Sequence, residues 1–199
     1  ARGGRTGRGP LHLARFPDVC DVLLAGDSDA GLEVRDKRGC TPLLAQAERG
    51  AFDCCELLIE DHDADVRAVN AVEARGVLHL ALLAQRPSGR LTRPPPGADD
   101  RHDAAVRSLV CCAVMHGAAP NAVDHNGDTP LHIAARRGAT ASLRSLLRSG
   151  GCPHALNHAR QSALSLAVQA DAADCVSGLL AVGADPSARA VHGVTPLHQ

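Results

Sequence analysis

Aromatic side chains are almost missing: Phe16 and Phe52 are the only two, and there is no Trp or Tyr. That argues against the stacking platforms that hold single-stranded nucleic acid. Lysine is nearly missing too, with Lys37 alone against twenty arginines. Schiff-base or phosphate-loop chemistry therefore has one candidate position, and no phosphate-loop motif accompanies it. The formal net charge of -1 gives no global field favouring nucleic acid or anionic lipid. No apolar run approaches the ~18 residues of a membrane span, and no signal peptide is visible.

Eight cysteines occur without a single C-x-x-C spacing, which disfavours a zinc ribbon or a thioredoxin-like site. The adjacent pairs Cys54-Cys55 and Cys111-Cys112 point about 100° apart on a helix and are not expected to bridge each other. We read the cysteines as small buried thiols in a reducing compartment. No nucleophile elbow, no H-E-x-x-H and no recurring carboxylate pair is present, so no enzyme activity, metal or cofactor is expected. His154 and His158 fall between units rather than on one helix. Asp99, Asp100 and Asp103 read as a solvated loop leading into a helix, with Asp103 as its cap.

What the chain does hold is a phrase that returns. Thr129-Pro130-Leu131-His132 recurs as Thr195-Pro196-Leu197-His198, 66 residues later and twice 33. Ser162-Ala163-Leu164-Ser165 is an eroded copy at the midpoint. Thr41-Pro42-Leu43-Leu44, Gly9-Pro10-Leu11-His12 and Gly76-Val77-Leu78-His79 lie upstream. A period near 33 residues means a stack of units with an extended binding face. A second marker recurs in phase: apolar residues at i, i+3 and i+4, then glycine. Leu143, Leu146, Leu147 and Gly150 carry it, as do Val176, Leu179, Leu180 and Gly183, and Val110, Ala113, Val114 and Gly117. Val19, Val22, Leu23 and Gly26 fit near the start, and Cys55, Leu58 and Ile59 fit with His62 in the glycine place. That spacing puts the apolar residues on one helical face, and the glycine ends the helix. In the phrase itself Thr caps a helix, Pro occupies its first position and Leu points inward. Each unit reads as turn, helix, loop, helix, turn.

Asp124 to Gly138 resembles the ankyrin repeat family almost throughout. Gly183-Ala-Asp-Pro-Ser187 matches that family's unit-closing segment, and Gly117-Ala-Ala-Pro-Asn121 matches it loosely. The resemblance implies an all-α solenoid of antiparallel helix pairs with β-hairpin-like fingers. It implies protein recognition through the finger tips and the inner helices. It also makes the phrase histidines His12, His79, His132 and His198 structural, bonded to neighbouring backbone.

Residues 1–8 read as a flexible lead-in and 9–199 as the repeat array. Its units run about 9–35, 36–69, 70–123, 124–156 and 157–189, with a partial unit at 190–199. The first unit has a short first helix, and Pro17 is expected to disturb it. The third carries about 20 extra residues near 86–103, including Pro94-Pro95-Pro96-Gly97, which cannot continue a helix. The loop reads as a plain insertion rather than a P-x-x-P ligand. Asp171 replaces an inter-helix glycine in the fifth unit, which is expected to weaken it. The ends, Ala1 and an opened sixth unit, read as those of a segment of a longer polypeptide.

The resemblance assigns candidate partner-binding residues. Finger tips supply Lys37, Arg38, Arg67, Glu73, His125, Asn126, His158, Arg160, Arg189 and His192. First helices supply Glu48, Arg49, Gln85, Arg136, Arg137 and Gln169. Arginine dominates this stripe, so an acidic protein is the expected partner, with Arg136 and Arg137 foremost. The expected function is a scaffold or adaptor module of a larger cytoplasmic or nuclear protein, binding neither nucleic acid nor membrane. Alternatives are a regulatory domain of an enzyme or ion channel, a substrate-recruiting ubiquitin-ligase adaptor, and a regulator like the inhibitors of NF-κB.

Overall fold

Helices start on the phrase, even where it is eroded. Thr41 Oγ1 accepts from Leu44 N–H at 3.4 Å, and Ser162 Oγ accepts from Ser165 N–H at 3.2 Å. Proline then opens the helices at Pro42 and Pro130, where its missing N–H costs nothing. A computed structural model describes residues 6–25, 31–84 and 99–186. Arg189, His192, Gln85 and the proline run lie outside the described residues.

Ten helices occur among the described residues, in five consecutive pairs. They are α1 (Pro10–Leu13) and α2 (Pro17–Ala25), α3 (Pro42–Arg49) and α4 (Phe52–Glu60), and α5 (Val77–Leu83) and α6 (Asp99–Met115). The last two pairs are α7 (Pro130–Arg137) with α8 (Thr140–Arg148), and α9 (Ala163–Gln169) with α10 (Ala173–Ala181). First helices pack in the row α1, α3, α5, α7, α9, and second helices in the row α2, α4, α6, α8, α10. Every substantial helix contact lies within a pair or between equivalent helices of adjacent pairs. The core is correspondingly a continuous seam. Leu43, Leu58, Leu109, Leu131, Leu143, Leu164 and Leu179 are fully buried along it. Ala134, Ala135 and Ala167 let neighbouring first helices approach closely.

Between pairs the chain makes a finger. Isolated antiparallel bridges Val69–Gly76 and Leu156–Ser162 mark two finger stems, with no extended strand among the described residues. No described helix is long and apolar enough to cross a membrane.

Four expectations change. Helix α6 begins at Asp99, so residues 99–103 are helical rather than loop. The last helix breaker of the insertion is Gly97, and nothing beyond it resists a helix. Asp103 accordingly caps a different helix from its own. Its carboxylate accepts from Ala141 N–H at 2.7 Å and Ser142 N–H at 3.2 Å, in the first turn of α8. Pro17 does not disturb α1 but opens α2. Within α2 the buried residues are Cys20 and Leu24, while Val19, Val22 and Leu23 are 43%, 74% and 36% exposed. Among the described residues no preceding pair covers that side of α2. Finally, Cys111 and Cys152 are exposed, whereas the other six cysteines are buried. Cys111 lies on the outer side of α6, next to the buried Cys112.

The short α1 is held from outside. Gln46 Nε2 of α3 donates to Leu11 O and Ala14 O, each at 2.7 Å, and Arg49 donates to His12 O at 2.9 Å. Carbonyls that a longer helix would satisfy within itself are satisfied by its neighbour.

Candidate protein-binding face

Each finger tip is a turn built by one side chain. Asp124 Oδ1 accepts from Asn126 N–H at 2.8 Å and Asp128 N–H at 3.0 Å. Asp36 does the same with Arg38 N–H at 2.8 Å and Cys40 N–H at 3.0 Å. Asn157 and Asn70 hold the equivalent turns, accepting from Gln161 N–H at 2.9 Å and from Arg75 N–H at 2.9 Å. Burial alone would raise the Asp36 and Asp124 carboxyls. The backbone donors, with Arg8 beside Asp36 and Arg75 beside Asp124, outweigh burial and hold both below the usual carboxylate range.

Successive tips are joined by one backbone hydrogen bond each. Ala71 N–H donates to Arg38 O at 3.0 Å, His125 N–H to Glu73 O at 2.9 Å, and His158 N–H to Asn126 O at 2.9 Å. This contact explains Gly127. At φ +73° a side chain is strained, and a Cβ there would lie 2.8 Å from His158 N. Gly39 stands in the same relation to Ala71.

The phrase histidines tie units together from below. His12, His79 and His132 place Nε2 at 3.0, 3.1 and 3.1 Å from the carbonyls of Cys40, Asp128 and Gln161, one unit on. A carbonyl only accepts, so the network assigns the hydrogen to Nε2. At His132 the other nitrogen accepts from Thr129 N–H at 3.2 Å. These rings are part of the frame, as the resemblance implied.

Charge on the face is largely answered within the chain. Arg38 lies 2.6 Å from Glu48 and 4.0 Å from Glu73, Arg75 lies 2.9 Å from Glu73 and 3.1 Å from Asp124, and Arg8 lies 3.2 Å from Asp36. Arg38, Glu48 and Glu73 are thus brought together in one chain of ion pairs. Arg136 sits 2.5 Å from the buried Asp128, and Arg137 donates to Ala84 O at 3.0 Å. Lys37, His125, Asn126, His158 and Arg160 project at exposed tips, and Gln169 is exposed at the end of α9. Arg67 stands apart. Its Nε donates to Gly117 O at 3.2 Å, beside a separate apolar cleft of about 380 Å³ on the finger flank.

Tips and first helices of the first three pairs border one open cleft of about 770 Å³. Phe16, Leu80 and Leu83 supply its apolar part, and Arg15, Arg49, Arg38 and Arg75 its cations. Phe16 is 66% exposed because α1 stops at Leu13 and leaves Ala14–Phe16 as a link along the inner side. Arg15, Phe16, Arg75, Leu80 and Leu83 escape sequence reasoning. The one signal for them was that Phe16 is among only two aromatics.

Among the described residues no cluster of His, Cys, Asp and Glu has the geometry to hold a metal ion. Burial pushes the Cys54 and Cys112 thiols up to about 12 and Cys55 higher than its ordinary value, the opposite of a nucleophilic cysteine.

A family model for ankyrin repeats in three copies matches residues 98–190, and one for a single ankyrin repeat matches residues 38–71. The chain belongs to the ankyrin repeat family. Its stacked helix pairs with fingers form the ankyrin solenoid, an architecture that generally mediates protein–protein interaction. The ankyrin array is 30% identical over 151 residues to the B-cell lymphoma 3 protein homolog of Mus musculus, covering 73% of this chain and 29% of that protein. It is 32% identical over 145 residues to the transient receptor potential cation channel subfamily A member 1 of Drosophila melanogaster, covering 71% of this chain and 11% of the channel. The chain thus spans less than a third of the length of either relative.

Proposed function

We propose that this ankyrin array is the protein-docking module of a larger cytoplasmic or nuclear protein, a scaffold or adaptor rather than a catalyst. The observation that carries this reading is the convergence of finger tips and first helices on one open, polar-rimmed cleft. A rigid frame supports it, in which His12, His79 and His132 each reach a backbone carbonyl one unit on and Asp36 and Asp124 accept from backbone N–H groups. The preponderance of buried cysteines supports a reducing compartment. An acidic partner fits the cations that no carboxylate answers.

A second reading has its own observation. Likeness to part of a cation channel supports a regulatory domain of a channel, in which the docked protein is another segment of the same assembly.

The test is capture from cell lysate by the parent chain and by a Lys37→Glu/His125→Glu variant. Both side chains are exposed and form no ion pair with the described residues, so the frame stays intact. Reversing Arg136 is the poorer choice, because it would set two carboxylates against each other at Asp128. The expected result is at least about a tenfold loss of a captured protein, as for removal of a charged interface anchor. Equal capture by the parent chain, by this variant and by an Arg15→Glu/Phe16→Ser variant of the cleft would sink the reading.

A further inference from the structure

We propose that the cleft across the first three pairs is the docking site for a short acidic segment of a protein partner, anchored by an apolar side chain on Phe16. This rests on the docking reading above and names the part of the face that matters and the chemistry of what enters it.

Phe16 is the exposed aromatic of this cleft. In a chain with two aromatics, one is spent in the core as Phe52, which is 6% exposed, and the other is left 66% exposed. Water-exposed aromatic surface beside a concavity is what an interface anchor buries. Leu83 and the buried Leu80 continue the apolar ground on the far side of the same cleft.

Charge then selects the occupant. Arg38 and Arg75 face Glu48 and Glu73, with Arg8 sharing Glu48 and Asp124 sharing Arg75, so both of these arginines are answered by carboxylates. Arg15 and Arg49 have no such counterpart. Arg49 spends one hydrogen bond on a neutral carbonyl, His12 O, and Arg15 forms no hydrogen bond or ion pair with the described residues. Of the four arginines that line the cleft, Arg15 and Arg49 are thus the two that no described carboxylate answers, and both border it together with Phe16. A carboxylate on either side of an apolar anchor meets that arrangement, with bidentate contact available to each guanidinium. A polyphosphate does not, since it would lie against Glu48 and Glu73 and leave the apolar ground uncovered.

The experiment selects a displayed library of random peptides of about twelve residues on the intact chain, then measures the enriched peptides in solution. The expected consensus is a Leu, Ile, Phe or Trp flanked by Asp or Glu. Arg15→Glu/Phe16→Ser should weaken binding at least about tenfold, and Arg148→Glu, on the outer helix α8, should leave it unchanged. Both residues of the double variant are exposed, and its urea midpoint checks the fold. If it is unfolded, Phe16→Ser and Arg15→Gln singly carry the same expectation. Enrichment of basic or uncharged peptides, failure to enrich any, indifference to the cleft variants, or displacement of the peptide by a single-stranded oligonucleotide each overturns the proposal. If the Lys37/His125 variant loses its captured protein while any of these occurs, the docking reading stands and the cleft assignment falls. If capture is also unaffected, both fall.

Discussion

His79 and His132 occupy one position of the repeat and differ by one atom's partner. His132 has both ring nitrogens satisfied, whereas His79 Nδ1 is buried and has none. Three residues earlier Thr129 stands in one unit and Gly76 in the other: Thr129 brings both its N–H and its hydroxyl to Nδ1, whereas a glycine has only an N–H to offer, which Gly9 gives to His12 Nδ1 at 3.2 Å and Gly76 does not give to His79. Gly76 has extended backbone at φ -89° and ψ -177°, and a Cβ there meets only Ala68 O at 3.5 Å and a Val69 methyl at 3.8 Å. Gly76→Thr therefore fits, supplies Nδ1 with a hydroxyl and removes a flexible residue. It should raise stability by about 1 kcal/mol, read as a higher urea midpoint. A lower midpoint would mean the hydroxyl does not reach the ring. Sequence makes such histidines legible as structural, because the phrase recurs around them. It does not make Arg136 legible as paired. Asp128 lies eight residues away, and only the finger turn swings its carboxylate under the guanidinium.

Helix starts were readable where Thr-Pro or Ser-Ala punctuates them, and helix ends where glycine follows. The start of α6 was not, because an insertion hides its phase and Asp103 looks like a cap in sequence. In space it is a cap, but for α8, with three donors on one carboxylate: Ala141 N–H, Ser142 N–H and Ser142 Oγ–H. Asp103→Ala should cost about 1–2 kcal/mol, since it orphans the first N–H groups of α8 without touching α6 itself. Hydrogen exchange should then report faster opening of residues 140–148 than of α7. Unchanged protection in α8 would show that another group replaces the carboxylate. The exposed side of α2 is illegible in sequence for a related reason. Val19, Val22 and Leu23 have the spacing of a buried face, but spacing cannot say whether a neighbour is present to bury it.

The whole molecule inherits one pH response from its repeated parts. Burial holds the His79 and His132 imidazoles below their ordinary value of 6.5, opposed only in part by the backbone acceptor at His79 and by the Asp128 charge and a backbone acceptor at His132. Both rings are thus neutral in the folded chain when their unfolded counterparts begin to protonate. The stability they protect is complete above about pH 6.5 and is lost as pH falls through that value and the lower folded values. The urea midpoint should drop between about pH 7.5 and about pH 5.5, and a flat profile would contradict the burial argument. Asp36 and Asp124, held below the usual carboxylate range, act in the same direction at more acidic pH. The nearest-neighbour architecture has another outcome at the junction of α5 and α6. The array carries about 20 additional residues there, yet α5 still packs on α7 and α6 on α8 as their counterparts do. Closing a longer loop adds free energy only logarithmically with its length. That junction is therefore a ready port for a guest sequence. A reporter epitope or a small folded tag threaded between Ala84 and Asp99 would ride on the array while leaving the stacking of every helix pair as it is.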